Sequence, residues 1–531
     1  MWKKLLITGC MAFCLLGGSV LSAQPSCETK EEVTSEQLNR TKKGLDAMLK
    51  ELKNNSWYQS ELNKVASLAT PSEQMQAYKS LAGRLISVLE IQAELEWMKP
   101  EAIQEALGIM KKSSGFDVNL AEKRFSELKS LLAGGFAGIY TGDQQALDKA
   151  NKALALKREL MLMSPDVNVD KMLTVKFNLG ERANFVGAGS LGIQPNNWSN
   201  LSSASRKNFK AELVELSGLK SGNLQEKTVY KPAVEGSSVT DLVLNWDGKR
   251  LMFTALDTTR RWQVHEINLE GGNARQVTNI PEPDLEFFDA TYLPDGRMLA
   301  ISNIGYQGVP CVNGSDAVGN MVLYDPSNGD LRRLTFDQDA NWHPVVMANG
   351  KVMYVRWEYT DLTHYFSRIV MHMNPDGTEQ KSLYGSGSMF PNSIFDVQPL
   401  PKRTNRFVGV ISGHHGVARS GRLMIFDPAK SRKEEKGMIQ ELPFRGRPII
   451  PEVKDELVNG VWPQFIKPYP LTDETFLVTA KLSPYSRWGI YLVDIYDNLT
   501  LVANADDAGM IYSVPVKSTP VPVSYTHLRA H

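Results

Sequence analysis

Cysteine is scarce in this chain, with four in 531 residues at Cys10, Cys14, Cys27 and Cys311. The first two fall inside an apolar leader, and the remaining two are too far apart in sequence to suggest a disulfide framework. No Cys-x-x-Cys-His is present, so the chain carries no c-type haem attachment site of its own. Net charge is lacking as well: 59 Lys and Arg balance 59 Asp and Glu. That balance removes any general electrostatic argument for nucleic acid or an anionic membrane as partner. Low-complexity tracts, phosphate-cradling glycine loops, a Ser-His-Asp order and zinc-ligand spacing do not stand out either. Long apolar runs are missing except at the N-terminus.

That one run reads as an export signal. Lys3-Lys4 precede an apolar stretch, and Ser22-Ala23 offer small residues for cleavage, so 1–23 is a signal peptide on this reading. It implies the periplasm or cell surface. A lipoprotein is the weaker form of the same idea, because Gln24-Pro25-Ser26 before Cys27 suits lipid attachment poorly. At the other end, residues 523–531 (VSYTHLRAH) match a translated frame of a common transposase sequencing adapter and are read as an assembly artefact. On that view 509–522 opens a C-terminal region that continues further.

Residues 28–165 are expected to form an α-helical domain. Leu45, Met48, Leu49 and Leu52 recur at helical spacing, as do Leu81, Leu85 and Leu89 after Pro71-Ser72-Glu73. Residues 170–508 change character. Short apolar runs alternate with Asp-Gly and Asn-Gly turns, and the order strand, turn, strand, loop, strand, turn, strand is seen six times. Trp246-Asp247-Gly248, Leu293-Pro294-Asp295-Gly296 and Ala348-Asn349-Gly350 each open one such unit. The fold class is therefore α plus all-β: an N-terminal helical bundle followed by a six-bladed β-propeller.

Antiparallel order puts the short turns on one face and the long connections on the other. Long loops on one face of a ring carry function more often than tight hairpins do. The long-loop face holds the candidate binding residues His414, His415, Arg419, Arg356, Glu358, Asp361, Asp337, Asp339 and His343, with Arg260, Arg261, Tyr306 and Arg487 nearby in the same loops. A neutral imidazole of His414 or His415 can ligate a metal or polarise a ligand. Asp337 and Asp339 alternate on an extended segment and could face one cation; as turn caps they would serve structure instead. Arg356 and Glu358 are read as an internal ion pair before a substrate clamp. Cys311 and His415 are the metal-ligand candidates.

Several motifs in order resemble a known family. Gln307-Gly308-Val309-Pro310-Cys311, Phe336-Asp337-Gln338-Asp339, Arg356-Trp357-Glu358-Tyr359-Thr360-Asp361, His372-Met373-Asn374-Pro375-Asp376-Gly377 and Ser412-Gly413-His414-His415-Gly416 are similar to the middle domain of the hydrazine synthase alpha subunit. The resemblance spans about residues 170–520 and implies a TolB-like six-bladed propeller. In that family haem-bearing regions flank the propeller, and a cysteine ligand for zinc is expected near the active haem, a place Cys311 could take. This chain departs from the family in having a helical region without haem motifs before the sheets.

The function expected is an exported scaffold that binds a small-molecule or protein ligand at the long-loop face, with a partner subunit contacting the helical domain. No cofactor is evident beyond a candidate metal ion. Two alternatives stay open: a domain of a periplasmic haem-dependent redox enzyme, and a propeller hydrolase or lyase using His414 or His415.

Overall fold

The computed structural model describes residues 33–177, 199–310, 313–358, 368–413, 419–506 and 508–523. Six α-helices come first: α1 (Ser35–Glu51), α2 (Ser56–Ala66), α3 (Pro71–Leu95), α4 (Pro100–Met110), α5 (Val118–Ala133) and α6 (Gln144–Leu162). Their starts are set locally. Thr34 with Gln37 and Thr70 with Glu73 form reciprocal capping boxes, and Pro71 and Pro100 occupy first-turn positions where no amide donor is needed. Asp117 and Asp143 cap α5 and α6. Among the described residues no helix is long and apolar enough to cross a membrane.

Antiparallel sheets follow. β1 (Lys171–Phe177), β2 (Ala211–Ser217) and β3 (Gln225–Tyr230) begin the first. The second is β4 (Val239–Leu244), β5 (Arg250–Leu256), β6 (Trp262–Asn268) and β7 (Arg275–Gln276). The third is β8 (Phe287–Tyr292), β9 (Met298–Ser302), β10 (Asn320–Tyr324) and β11 (Leu331–Arg333). The fourth is β12 (Asn341–Val346), β13 (Val352–Trp357), β14 (Arg368–Met373) and β15 (Lys381–Tyr384). The fifth is β16 (Ser393–Pro399), β17 (Phe407–Ser412), β18 (Arg422–Phe426) and β19 (Met438–Leu442). The sixth is β20 (Gln464–Pro470), β21 (Thr475–Lys481), β22 (Gly489–Asp494) and β23 (Leu499–Ala503). One parallel bridge, Arg368 to Ser393, links the fourth and fifth.

The last strand, β24 (Gly509–Pro515), pairs with β1, so the first sheet runs β24-β1-β2-β3. This corrects the expected boundary at 508. Without β24 the inner edge of β1 would be an unpaired row of amides and carbonyls, and Met510 and Ile511 bury their side chains in the sheet core. Each inner strand touches the next in the series β4, β8, β12, β16, β20, β24, and β24 touches β4.

After β24 the chain crosses the short-turn face. Thr519 donates its amide to Trp246 O at 2.9 Å, and Val523 to Ala348 O at 3.2 Å. Gly248 permits this crossing: it sits at φ +73°, and a Cβ there would stand 2.7 Å from the Ser518 amide.

The helical region is clamped to the sheets. Ile103, Leu107, Leu156 and Leu160 share one core with Leu216, Leu477, Ile490 and Val502. Arg487 forms a two-pronged pair with Glu90 at 2.6 and 2.7 Å, and Arg445 with Glu105 at 2.8 and 2.7 Å. The buried Lys157 ammonium donates to Trp97 O at 2.5 Å and to Leu499 O at 2.7 Å, tying α6 to β23.

Candidate functional site

Each inner strand has an irregularity at the same place. Pairing shifts register between Thr240 and Val243, Phe288 and Thr291, Trp342 and Val345, Phe395 and Gln398, and Ile466 and Tyr469; opposite β24 it shifts between Leu173 and Val175. A bulge turns one residue out of the ladder and re-aims its side chain. The six residues so turned are Asp241, Asp289, His343, Asp396, Lys467 and Tyr512, all with left-handed backbone at φ between +49° and +74°. Left-handed backbone is unfavourable for residues with a side chain and persists only where the surroundings hold it.

The surroundings here are the six residues themselves. The Tyr512 hydroxyl accepts from the Asp241 amide at 2.7 Å, Asp241 accepts from the Asp289 amide at 3.0 Å, and Asp289 accepts from the His343 amide at 2.6 Å. The His343 ring stands 3.2 Å from Asp289 and 3.3 Å from Asp396. Asp396 accepts from the Lys467 amide at 3.0 Å and pairs with its ammonium at 2.8 Å. That ammonium lies 5.4 Å from the Tyr512 ring centroid, which returns the chain of contacts to its start.

Charges perturb one another within this ring. Burial pushes Asp241 up, and the neighbouring Asp289 carboxylate adds to the rise. Burial acts the same way on Asp289 and Asp396, but His343 and Lys467 outweigh it and hold both below the usual carboxylate range. Burial would lower Lys467, yet Asp396 and the other anions raise it. Arg419 approaches from the β17–β18 loop with its guanidinium 4.7 Å from the Trp342 ring and 4.9 Å from Phe395; burial lowers it to about 10. A cavity of about 90 Å³ is lined by the six ring residues and by those that follow them, such as Val243, Val345, Gln398 and Tyr469. Inner strands run from the long-loop face toward the short turns, so this cavity lies on the short-turn side of the ring. The side with the tight hairpins thus holds this polar cavity.

The long-loop face holds a larger opening. A cleft of about 730 Å³ lies between the loops of the second and third sheets, lined among others by Arg206, Arg260, Arg261, Glu286, Asn303 and Tyr306. Its far wall is the β9–β10 connection, which folds back on itself through a Gly308–Ala317 bridge and a Val318 amide to Gln307 carbonyl bond of 2.7 Å. Gly308 lets the two limbs touch: a Cβ there would be 2.6 Å from Gly314 Cα. Arg206 bonds Glu286 at 2.8 Å and Ser202 O at 2.9 Å; Arg261 pairs with Asp257 at 2.8 Å and bonds Glu282 O at 2.7 Å. Arg260 reaches the carbonyls of Arg206 and Glu235. Burial pushes Glu286 up to about 6.

The candidates picked from sequence do not gather at one site. Arg356 pairs with Glu358 and lies 3.5 Å from Asp337, which also accepts from Asn341 at 3.1 Å, so these form an internal ion cluster on the fourth sheet. Asp339 is buried nearby, His343 belongs to the six-residue ring, and Arg419 lies against Trp342 and Phe395. Arg487 serves the contact with the helical region. Asp361, His414, His415 and Cys311 lie outside the described residues. Among the described residues no group of three or more His, Cys, Asp or Glu is placed to hold a metal ion. Sequence reading missed Asp241, Asp289, Asp396, Lys467 and Tyr512, and Arg206 and Glu286 in the cleft. The available signal was a titratable residue in the interior of each inner strand, recurring once per repeat.

No protein-family model and no curated protein matches the sequence. Solved structures do. Hydrazine synthase of Kuenenia stuttgartiensis is similar over 67% of this chain and 48% of that chain, at TM-score 0.50 and 14% identity. This chain therefore spans about half the length of that protein. TolB from Acinetobacter baumannii matches over 68% of this chain and 71% of its own, at TM-score 0.37 and 12% identity. A chain of the nidogen/laminin complex matches over 66% and 100%, at TM-score 0.38 and 11% identity. A likeness to hydrazine synthase at 14% identity is one of fold, and the fold is a β-propeller preceded by helices.

Proposed function

We propose that the six sheets close into a six-bladed propeller, and that the protein is an exported scaffold which binds its ligand in the loops of the long-loop face. The circuit of contacts from β4 round to β24 and back supports the closure. The single observation behind the binding role is the cleft of about 730 Å³ between the second and third sheets. Its size falls in the range of ligand pockets, roughly 300–1,000 Å³, and its walls are braced by arginines bonded to main-chain carbonyls. A braced wall loses little freedom when a ligand arrives, so little of the binding energy goes to ordering it. Export rests on the N-terminal segment read from sequence.

The test is photo-crosslinking in cells that make the protein. A photoreactive residue replaces Ser315 in the cleft wall or, on the short-turn face, Ser327 in the β10–β11 turn. Both positions are exposed. Adducts from position 315 and none from 327 are expected. Equal yields from both, or adducts from 327 alone, would overturn the assignment.

A further inference from the structure

The cleft lining narrows the ligand class, and this step rests on the binding role of the long-loop face proposed above. Three arginines line it, and each is held by acceptors of the protein. Arg206 bonds Ser202 O and Glu286 through one terminal nitrogen, while its Nε is buried and has no hydrogen-bond partner. Arg260 bonds carbonyls through its terminal nitrogens. A guanidinium has five N–H donors in a rigid plane. Fixing the plane with some of them presents the rest in the geometry that suits a carboxylate.

Other features argue against a small anion of concentrated charge. Asp284 and Glu286 line the same cleft as the arginines. Their carboxylates would repel a phosphate dianion but accept hydrogen bonds from hydroxyl groups. Thr259, Asn303, Gln307 and Ser315 add hydroxyl and amide groups to the lining. Tyr306 is 59% exposed, although it is a large aromatic side chain beside a cleft. An aromatic ring with a polar tip suits a ligand having apolar C–H faces and polar edges.

Backbone strain falls in the same place. Arg260 at φ +66° and Tyr306 at φ +47° both take left-handed conformations without being glycine. Such residues cluster at ligand clamps, where the surrounding fold holds a side chain in a required direction.

We propose that this cleft binds an acidic saccharide: a chain of sugar rings carrying carboxylates, its acid groups on Arg206 and Arg260 and one ring face on Tyr306. The hydroxyls of the sugar meet Asp284, Glu286, Asn303 and Gln307.

The experiment is titration calorimetry of the full chain at 0.15 M salt with tetragalacturonate, using maltotetraose as the uncharged control and glucose 6-phosphate as the phosphate control. The variants are Tyr306→Ala, an exposed change, and Arg206→Gln, each checked for folding by circular dichroism. Tetragalacturonate should bind, and each substitution should weaken it about tenfold or more. Neither control should compete at equal concentration. No binding of tetragalacturonate, equal binding of maltotetraose, preference for the phosphate, or indifference to Tyr306→Ala would each overturn the proposal. Crosslinks from position 315 without saccharide binding would sink this ligand class while leaving the long-loop role in place. Absence of both would remove the two together.

Discussion

Replacing Lys467 by Met tests whether the ring of bulge residues holds the sheets together. Met keeps most of the unbranched stem and removes the ammonium. In the native protein that ammonium lies 2.8 Å from Asp396, with side-chain exposures of 11% and 3%. Its loss leaves Asp396 buried with the His343 ring, at 3.3 Å, as its remaining close partner. Breaking a buried pair by removing one member costs about 3–5 kcal/mol, because the remaining charge stays in a poorly solvating site. Against a total stability of roughly 5–15 kcal/mol for a folded domain, that is a large fraction. The assay is urea unfolding at pH 7, with Lys467→Met, Asp396→Asn and the double variant forming a cycle. The double variant should recover much of the loss, since it leaves no unpaired charge. The pH dependence has a definite sign. The folded protein holds Asp396 below its ordinary value, so this pair stabilises above the unfolded carboxylate value and loses that effect as pH falls. Lys467 is raised, so its part is present throughout this range. The deficit of Lys467→Met should therefore be greatest near neutral pH and shrink in acid. A loss below about 1 kcal/mol, or a cycle without coupling, would refute the ring as a clamp.

Other outcomes follow from the same geometry. Arg487→Ala should cost about 3–5 kcal/mol, by leaving Glu90 unpaired at 12% exposure, and should speed proteolysis between the helical region and the sheets; unchanged proteolysis would argue that the shared apolar core alone holds them. Burial brings Lys157 down to about 7, so unfolding takes up a proton between about pH 7 and 10.5, and stability rises with pH across that window. Lys157→Met should flatten this rise in thermal melts, while destabilising the protein by stranding the carbonyls of Trp97 and Leu499; a rise as steep as in the parent would contradict the assignment. Gly308→Ala should spread the β9–β10 loop by forcing a Cβ against Gly314. Crosslinking from position 315 should fall with little change in the urea midpoint, and a large midpoint shift would show the loop to be part of the core.

Much of the architecture was legible because it depends on local chemistry. The capping boxes at Thr34 and Thr70 are written in four consecutive residues each. The turns at Gly248, Gly296, Gly350 and Gly377 need positive φ, and each carries a glycine preceded by Asp or Asn. The pairing of Arg356 with Glu358 was readable from alternation on one strand. The helical spacing of Leu45, Met48 and Leu49 put all three in the core. Periodicity did not set α2 apart, and pattern alone ended the sheets too early, since β24 is recognisable only as the partner of a strand far away in sequence.

The candidate sites were less legible for a physical reason. Asp289 reads as the one charged residue in the strand Phe287–Tyr292, and Lys467 as one before a proline. Neither has a partner within its own repeat. Their meaning comes from bulges that turn them inward and from neighbours donated by the next sheet. The cleft likewise joins Arg206, Arg260 and Tyr306 from three separate loops.

The sequence by itself determined the elements: which segments coil, which extend, where the tight turns fall, and that the order repeats. Those outcomes follow from backbone propensity and side-chain periodicity over a few residues. Only the tertiary structure decided which charges meet. Glu90 and Arg487 stand 397 positions apart, and Asp241 and Tyr512 271 apart, yet both pairs are in hydrogen-bond contact. The first pair forms because the helical region packs on the sixth sheet, and the second because the sheets pack side by side and bring the ends of the β region together. Within that packing, each buried charge must find its counterion or give up its charge.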